Sequence, residues 1–214
     1  MSEATYISWA FDRLNGPCPV VKKVRSGDNS TVFEIASGGA RWFLKIGDHL
    51  ASECTRLQWL QGKLPVPEVV AFGPVGTQEA LLMSAVPGTN VAVLAKRLSP
   101  DKIVEMLASA LRSFHSVNPS GCPFKANLPG ESLVHGDACL PNIVCRDDGA
   151  VNGYVDLGEM GAGDIEVDLS AAVWSLQYNL GPGLGQRFLR AYGLPNPTDD
   201  YTLHLWTTYA TGVA

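Results

Sequence analysis

The spacing of apolar residues changes once along this chain, and that change restricts the fold more than any other feature. Before Pro87 the apolar residues come in short runs of period two, broken by Gly and Pro; beyond it they recur every three to four residues over long stretches. In the first part, residues 20–24, 31–36, 41–46, 69–72 and 80–84 read as five strands, with Gly38-Gly39 as a hairpin signal. A short amphipathic helix over 2–14 precedes them and is ended by Pro17 and Pro19. One helix is inserted among the strands, at 48–61, with Leu50, Cys54, Leu57 and Leu60 on one face. Pro87-Gly88-Thr89-Asn90 then reads as a linker. Residues 99–117 predict a long helix with Ser99 as its N-cap and Val104, Leu107, Leu111 and Phe114 as its buried stripe; Lys102 stands where a capping box would have Glu. Residues 118–130 read as loop. Strands at 142–145 and 153–155 follow, joined by an Asp147-Asp148-Gly149 turn, and from Ile165 the pattern is mostly helical. The expectation is an α+β fold of two lobes: a small five-stranded one with its inserted helix over 1–86, and a mostly helical one over 87–214.

Composition narrows the function classes. With 46% hydrophobic and 17% charged residues the chain is globular. A net charge of −5 argues against a nucleic-acid partner. The charge divides unevenly. Residues 1–100 carry ten Lys/Arg and eight Asp/Glu, and residues 101–214 carry six and thirteen. A mildly basic part and an acidic part suit an anionic cofactor and a cationic second substrate. The five cysteines form no C-x-x-C pair, which speaks against structural zinc and for free thiols in a reducing cytoplasm. No stretch of 18 apolar residues exists and the N-terminus lacks a signal-peptide pattern, so no membrane partner is expected and the localisation reads as cytoplasmic.

The densest polar cluster is His135-Gly136-Asp137-Ala138-Cys139-Leu140-Pro141-Asn142, set between apolar residues just before a short strand. Phosphoryl transfer is one chemistry that needs such a loop: a carboxylate orients the attacking hydroxyl and takes its proton, and oxygen ligands hold Mg²⁺. The five-residue step from Asp137 to Asn142 matches the spacing of a kinase catalytic loop, with Gly136 in place of Arg. A second carboxylate follows in Val155-Asp156-Leu157-Gly158, where a metal-holding aspartate is expected. Upstream, Lys45 in Arg41-Trp42-Phe43-Leu44-Lys45-Ile46 is placed to reach nucleotide phosphates, and Glu53 in the next helix to pair with it. Gly27 and Ser30, in Gly27-Asp28-Asn29-Ser30-Thr31, sit where backbone N–H groups and a small hydroxyl approach phosphates. Ser84 and Ala85 end the first lobe as a backbone hinge for adenine. Gly181-Pro182-Gly183-Leu184-Gly185 follows a helix and not a strand, which sets it aside as a dinucleotide loop.

These segments together resemble the aminoglycoside phosphotransferase family, its 3′-phosphotransferases in particular. The resemblance rests on Trp59-Leu60-Gln61-Gly62-Lys63-Leu64-Pro65-Val66-Pro67, Leu82-Met83-Ser84, the 135–142 block, Val155-Asp156-Leu157-Gly158 through Asp164, Asp168-Leu169, and Ala191-Tyr192-Gly193-Leu194-Pro195. It implies a two-lobed protein-kinase-like fold, with Asp137 as catalytic base and Asn142 and Asp156 as Mg²⁺ ligands. Lys45 and Glu53 become the phosphate-positioning pair, Asp164 and Asp168 braces, and His135 a shaper of the loop. The implied donor is ATP or GTP, and the implied partner a small-molecule acceptor, an aminoglycoside first.

Three departures from the family pattern bear on the acceptor. A helical insertion that the family carries before the catalytic loop is replaced here by residues 118–134. Glu159 stands where the family has Arg. The family's C-terminal acids and terminal aromatic have no counterpart at the matching positions. Two other readings therefore stay open: a kinase of another small alcohol, and a nucleotide-binding module without turnover.

Overall fold

A computed structural model describes residues 2–14, 20–26 and 30–212, with only the backbone of Arg25 and Ser26. The chain divides into two compact units, Met1–Gln61 with Val66–Ala85, and Gly62–Pro65 with Val86–Ala214.

The first unit is built on an antiparallel sheet. After helix α1 (Glu3–Phe11) come β1 (Val20–Ser26), β2 (Ser30–Ser37) and β3 (Ala40–Gly47), then helix α2 (Leu50–Leu60), β4 (Val69–Val75) and β5 (Gln78–Ser84). The spatial order is β1-β2-β3-β5-β4. Gly38 and Gly39, both at positive φ, make the β2–β3 hairpin turn. Alternation along the strands sends Phe33, Ile35, Leu44, Ile46, Ala80 and Leu82 to one face, where Ala10 and Trp9 of α1 pack on them. The α2 stripe of Leu50, Cys54, Leu57 and Leu60 is buried as its spacing predicts.

In the second unit the linker reading needs correction. Thr89–Asn90 is a strand, β6, and the Asn90 side chain caps the short helix α3 (Val91–Leu94) by accepting from the Val93 N–H at 2.9 Å. Pro and Gly upstream suggested a loop, but Asn serves equally as an N-cap. Helix α4 (Pro100–His115) opens on Ser99, whose Oγ accepts from the Lys102 N–H at 3.3 Å. Its buried face carries Val104, Leu107, Leu111 and Phe114. Strand β7 (Ser132–Val134) leads into the polar block, and a 3-10 turn over Leu140–Asn142 leaves it. Asn142 thus closes a turn, and the expected strand begins one residue later as β8 (Ile143–Cys145). Strand β9 is Val151–Tyr154 and β10 is Gly161–Gly163. β6, β8 and β9 form one small sheet, and β7 and β10 another. Helices α5 (Glu166–Leu180), α6 (Gly185–Tyr192) and α7 (Asp199–Ala210) complete the unit. The Tyr154 hydroxyl, fully buried, donates to Ala110 O at 2.8 Å and ties β9 to α4.

Cys54, Cys122, Cys139 and Cys145 are free thiols; Cys18 lies outside the described residues. No helix among the described residues is long and apolar enough to cross a membrane.

Candidate active site

Lys45 lies on the sheet face opposite Leu44 and Ile46, because neighbouring strand residues point to opposite sides. Glu53 falls in the first turn of α2, inside the helix's apolar stripe, and is only 4% exposed. Lys45 Nζ and Glu53 Oε2 are 2.7 Å apart. The geometry fixes an ammonium in a partly dry setting, where it acts more strongly on an anion than it would in water.

The other expected residues of this unit are placed less favourably. Ser30 opens β2, paired with Gly47, and Gly27 lies outside the described residues. The Ser84 N–H donates to Glu68 O at 2.9 Å and the Ala85 N–H to Arg41 O at 3.0 Å. Ser84 Oγ accepts from the Glu68 N–H. The backbone donors of this pair are therefore committed within the unit.

In the second unit Asp168, fully buried on α5, organises the polar block. Its Oδ2 accepts from the His135 N–H at 2.7 Å, and its Oδ1 from the Gly136 N–H at 2.9 Å. His115 Nε2 lies 2.9 Å from the same Oδ2, and its Nδ1 is 2.8 Å from the Tyr192 hydroxyl. Helices α4, α5 and α6 thus converge on the backbone of one loop. His135 is fully buried, with Nε2 at 3.1 Å from Val155 O. A carbonyl only accepts, so Nε2 carries the proton and Nδ1 is free to accept the Asp137 N–H at 3.3 Å. His135 is a shaper of the loop, with no nitrogen left over for acid–base work. Gly136 has φ of +89° and a Cβ there would come 2.5 Å from Glu159 O. Only glycine fits at this position, which explains why no Arg stands there.

The loop delivers the Asp137 carboxylate with both oxygens held. Asn142 Nδ2 donates to Asp137 Oδ2 at 2.8 Å and to Asp137 O at 2.9 Å. The Tyr209 hydroxyl, from the last turn of α7, donates to Asp137 Oδ1 at 2.8 Å. Burial first, then the neighbouring Cys139 and the Asp137 charge, push the Tyr209 hydroxyl well above the usual phenol range. The Cys139 thiol is pushed up to about 12, again by burial first and by Asp137 next. Both groups stay protonated at neutral pH, so Tyr209 is a donor. The Val155 N–H donates to Asn142 O at 2.9 Å, which brings Asp156 alongside the loop. Asp156 adopts φ of +60°, a left-handed conformation unusual for a residue with a side chain. Such backbone strain concentrates at functional sites.

Residues 20–131 and 124–204 match the phosphotransferase enzyme family. The chain belongs to that family. Among its curated relatives, an aminoglycoside 3′-phosphotransferase of Niallia circulans is 29% identical over 214 aligned positions, which take in 76% of this chain and 80% of that one. An aminoglycoside 3′-phosphotransferase of Staphylococcus aureus is 30% identical over 169 positions, 58% of this chain and 64% of that one. Of the solved structures, an aminoglycoside 3′-phosphotransferase of type VIII superposes with a TM-score of 0.74 at 23% identity, covering 94% of this chain and 96% of its own. An aminoglycoside phosphotransferase of Streptomyces rimosus, solved with ADP and streptomycin, gives 0.73 at 24% identity, with 96% and 98% covered. The expected kinase-like fold is the fold of the family members it superposes on.

Within this phosphotransferase, Tyr209 is the site residue that the sequence reading passed over. Its signal was faint: it lies four residues beyond Leu205, on the buried side of the last helix. Tyr209→Phe removes one of the two side-chain donors on the Asp137 carboxylate. It should lower kcat about 10- to 150-fold, the weight of one hydrogen bond to a charged group at about 1.5–3 kcal/mol. Tyr209→Phe with unchanged kcat in initial-rate assays would show that the contact does not serve the reaction.

Proposed function

We propose that this phosphotransferase transfers the γ-phosphoryl group of ATP or GTP to a hydroxyl of an aminoglycoside. The single observation that carries the reading is the Asp137 carboxylate, held at both oxygens at the end of a loop braced from inside by Asp168. The names of the relatives support the acceptor class. In the reaction the acceptor O–H gives its proton to Asp137 as the oxygen attacks the γ-phosphorus, and the nucleoside diphosphate leaves. Asn142 and Asp137 are mutually oriented by the amide. Its Nδ2 is spent on Asp137, so its Oδ1 is the atom left to face a cation.

The donor set fits Mg²⁺. Asn142 Oδ1 and the Asp156 carboxylate are hard oxygen ligands on adjoining segments, and Mg²⁺ is ordinarily held by one or two such side chains plus phosphates and water. Among the described residues no three His, Cys, Asp or Glu side chains gather as a protein-only cage, which is what a tightly caged ion would need. When bound, the ion neutralises charge on the phosphates. Lys45, its ammonium oriented by Glu53, is assigned to nucleotide phosphates. Ser84 and Ala85 are assigned to the base, and Ser30, at the start of β2, to the phosphates together with Gly27.

Mass spectrometry of an aminoglycoside panel incubated with Mg·ATP and with Mg·GTP tests the reading: a product heavier by one phosphoryl group is expected, and its rate of formation should fall by about 100-fold or more with Asp137→Asn. A panel with no phosphorylated member removes the aminoglycoside from the proposal. Lys45→Ala should raise the nucleotide KM or lower kcat so that kcat/KM falls about 100-fold or more, because it removes a charge from the phosphates. It also leaves Glu53 as a buried carboxylate without its ammonium, a change that costs about 3–5 kcal/mol when a buried pair is broken. Lys45→Ala with wild-type nucleotide kinetics would detach the pair from nucleotide binding.

A further inference from the structure

Carboxylates are the obvious partners for a polycationic acceptor, yet several of the second unit's are already engaged. Asp147 meets Arg97 at 2.7 Å, Asp148 meets Arg146 at 3.1 Å, Asp101 pairs with Arg187, and Glu166 accepts from the Tyr201 hydroxyl at 2.8 Å. Beside the catalytic carboxylate the surface is aromatic. Tyr209, whose hydroxyl is on Asp137, lies 5.1 Å from Trp174 between ring centroids, at an interplanar angle of 42°. Trp174 in turn stacks on Tyr178, 5.1 Å away and within 11° of parallel. Trp174 and Tyr178 are one helical turn apart on α5, so the helix itself sets their stacking. Tyr178 is 75% exposed. A ring that open contributes little to the core, and its outer face is available to a ligand.

We propose that Tyr209, Trp174 and Tyr178 form an aromatic shelf that binds the ammonium groups of the acceptor by cation–π contact, with the shelf beginning at the catalytic base. The inference rests on the aminoglycoside reading above and names the surface that recognises that substrate. The physical case is direct. The reacting hydroxyl must come within hydrogen-bond reach of Asp137, so the rest of the acceptor lies over whatever adjoins that carboxylate. The adjoining group is Tyr209, and the rings continue outward from it without a break. Ring faces attract ammonium groups without needing a carboxylate, and large aromatic faces bind with little loss of side-chain freedom.

The test is initial-rate kinetics with kanamycin as the aminoglycoside. Tyr178→Ala should raise the kanamycin KM about 5- to 30-fold, the weight of one or two cation–π contacts, while the ATP KM stays at its wild-type value. Tyr178→Phe, which keeps the ring, should restore the kanamycin KM. A merely structural tyrosine would not separate the two substrates in this way. Kanamycin phosphorylated with the same KM by wild type and Tyr178→Ala overturns the shelf and leaves the activity standing. If no aminoglycoside is phosphorylated while Asp137-dependent ATP hydrolysis persists, the acceptor class falls and the shelf falls with it.

Discussion

Asp137→Asn is expected to lower kcat for phosphoryl transfer by about 10²- to 10⁴-fold, the usual weight of a positioned general base. The substitution isolates proton acceptance from shape. Asn has the size of Asp, and its amide oxygen can still accept from one of the two donors that hold the carboxylate, Asn142 Nδ2 or the Tyr209 hydroxyl. The Tyr209 hydroxyl can turn to accept from the new amide, so no buried donor need be orphaned. The melting temperature should therefore stay within a few degrees of wild type, and the nucleotide KM within a few-fold, while the variant has no carboxylate to receive the acceptor's proton. The Asp137→Asn/Tyr209→Phe double variant adds a sharper criterion. If Tyr209 acts through Asp137, its substitution costs little more once Asp137 is Asn, and the two losses are far from additive. A single variant that keeps more than about a tenth of the wild-type kcat would assign base catalysis to another group.

Much of this site was legible because its chemistry is written locally. The step from Asp137 to Asn142 is a five-residue turn, and one amide closes it on the carboxylate. Lys45 was legible as the one Lys of a strand placed like a kinase lysine, and Glu53 from its place in the helix that follows; that Glu53 lies buried in the apolar stripe is visible only in the structure. What stayed hidden depends on contacts distant in sequence. Tyr209 reaches Asp137 across 72 residues, and no spacing rule connects the last helix to the loop. The strands β6, β7 and β10, of two or three residues each, lack the alternating run that marks a strand, and exist because a partner segment is present to pair with them. Gly136 departs from the kinase loop's Arg, and the reason is the Glu159 backbone lying against it. The Ser84 and Ala85 N–H groups illustrate the converse. The sequence placed them at the end of a strand, but that their hydrogens are already spent on Glu68 and Arg41 is visible only in the sheet.

Asp168→Ala is expected to destabilise the protein by about 3–5 kcal/mol, the usual cost of removing one member of a buried, hydrogen-bonded charged set. At about 2–4 °C per kcal/mol for a chain of this size, the melting temperature should drop by roughly 6–20 °C. The size of the effect follows from what is left behind. The His135 and Gly136 N–H groups are held by Asp168 alone among the described bonds, and His115 Nε2 loses its partner on the same oxygen. Each orphaned donor costs about 1–3 kcal/mol when no water can replace the lost acceptor. Asp168→Asn should cost less, about 1–3 kcal/mol, because one of its two acceptor oxygens survives. The two variants should also differ in catalysis at a temperature where both are folded. Asn keeps one backbone N–H of the loop in place, whereas Ala frees both, and Asp137 lies one residue beyond them. The loss of kcat should therefore follow the loss of stability in order, wild type above Asn above Ala, in paired thermal denaturation and initial-rate measurements. Melting of Asp168→Ala within 2 °C of wild type, against the slope just used, would mean that the loop is braced from elsewhere. Full stability loss with undiminished kcat would mean that the brace holds the fold without positioning the base.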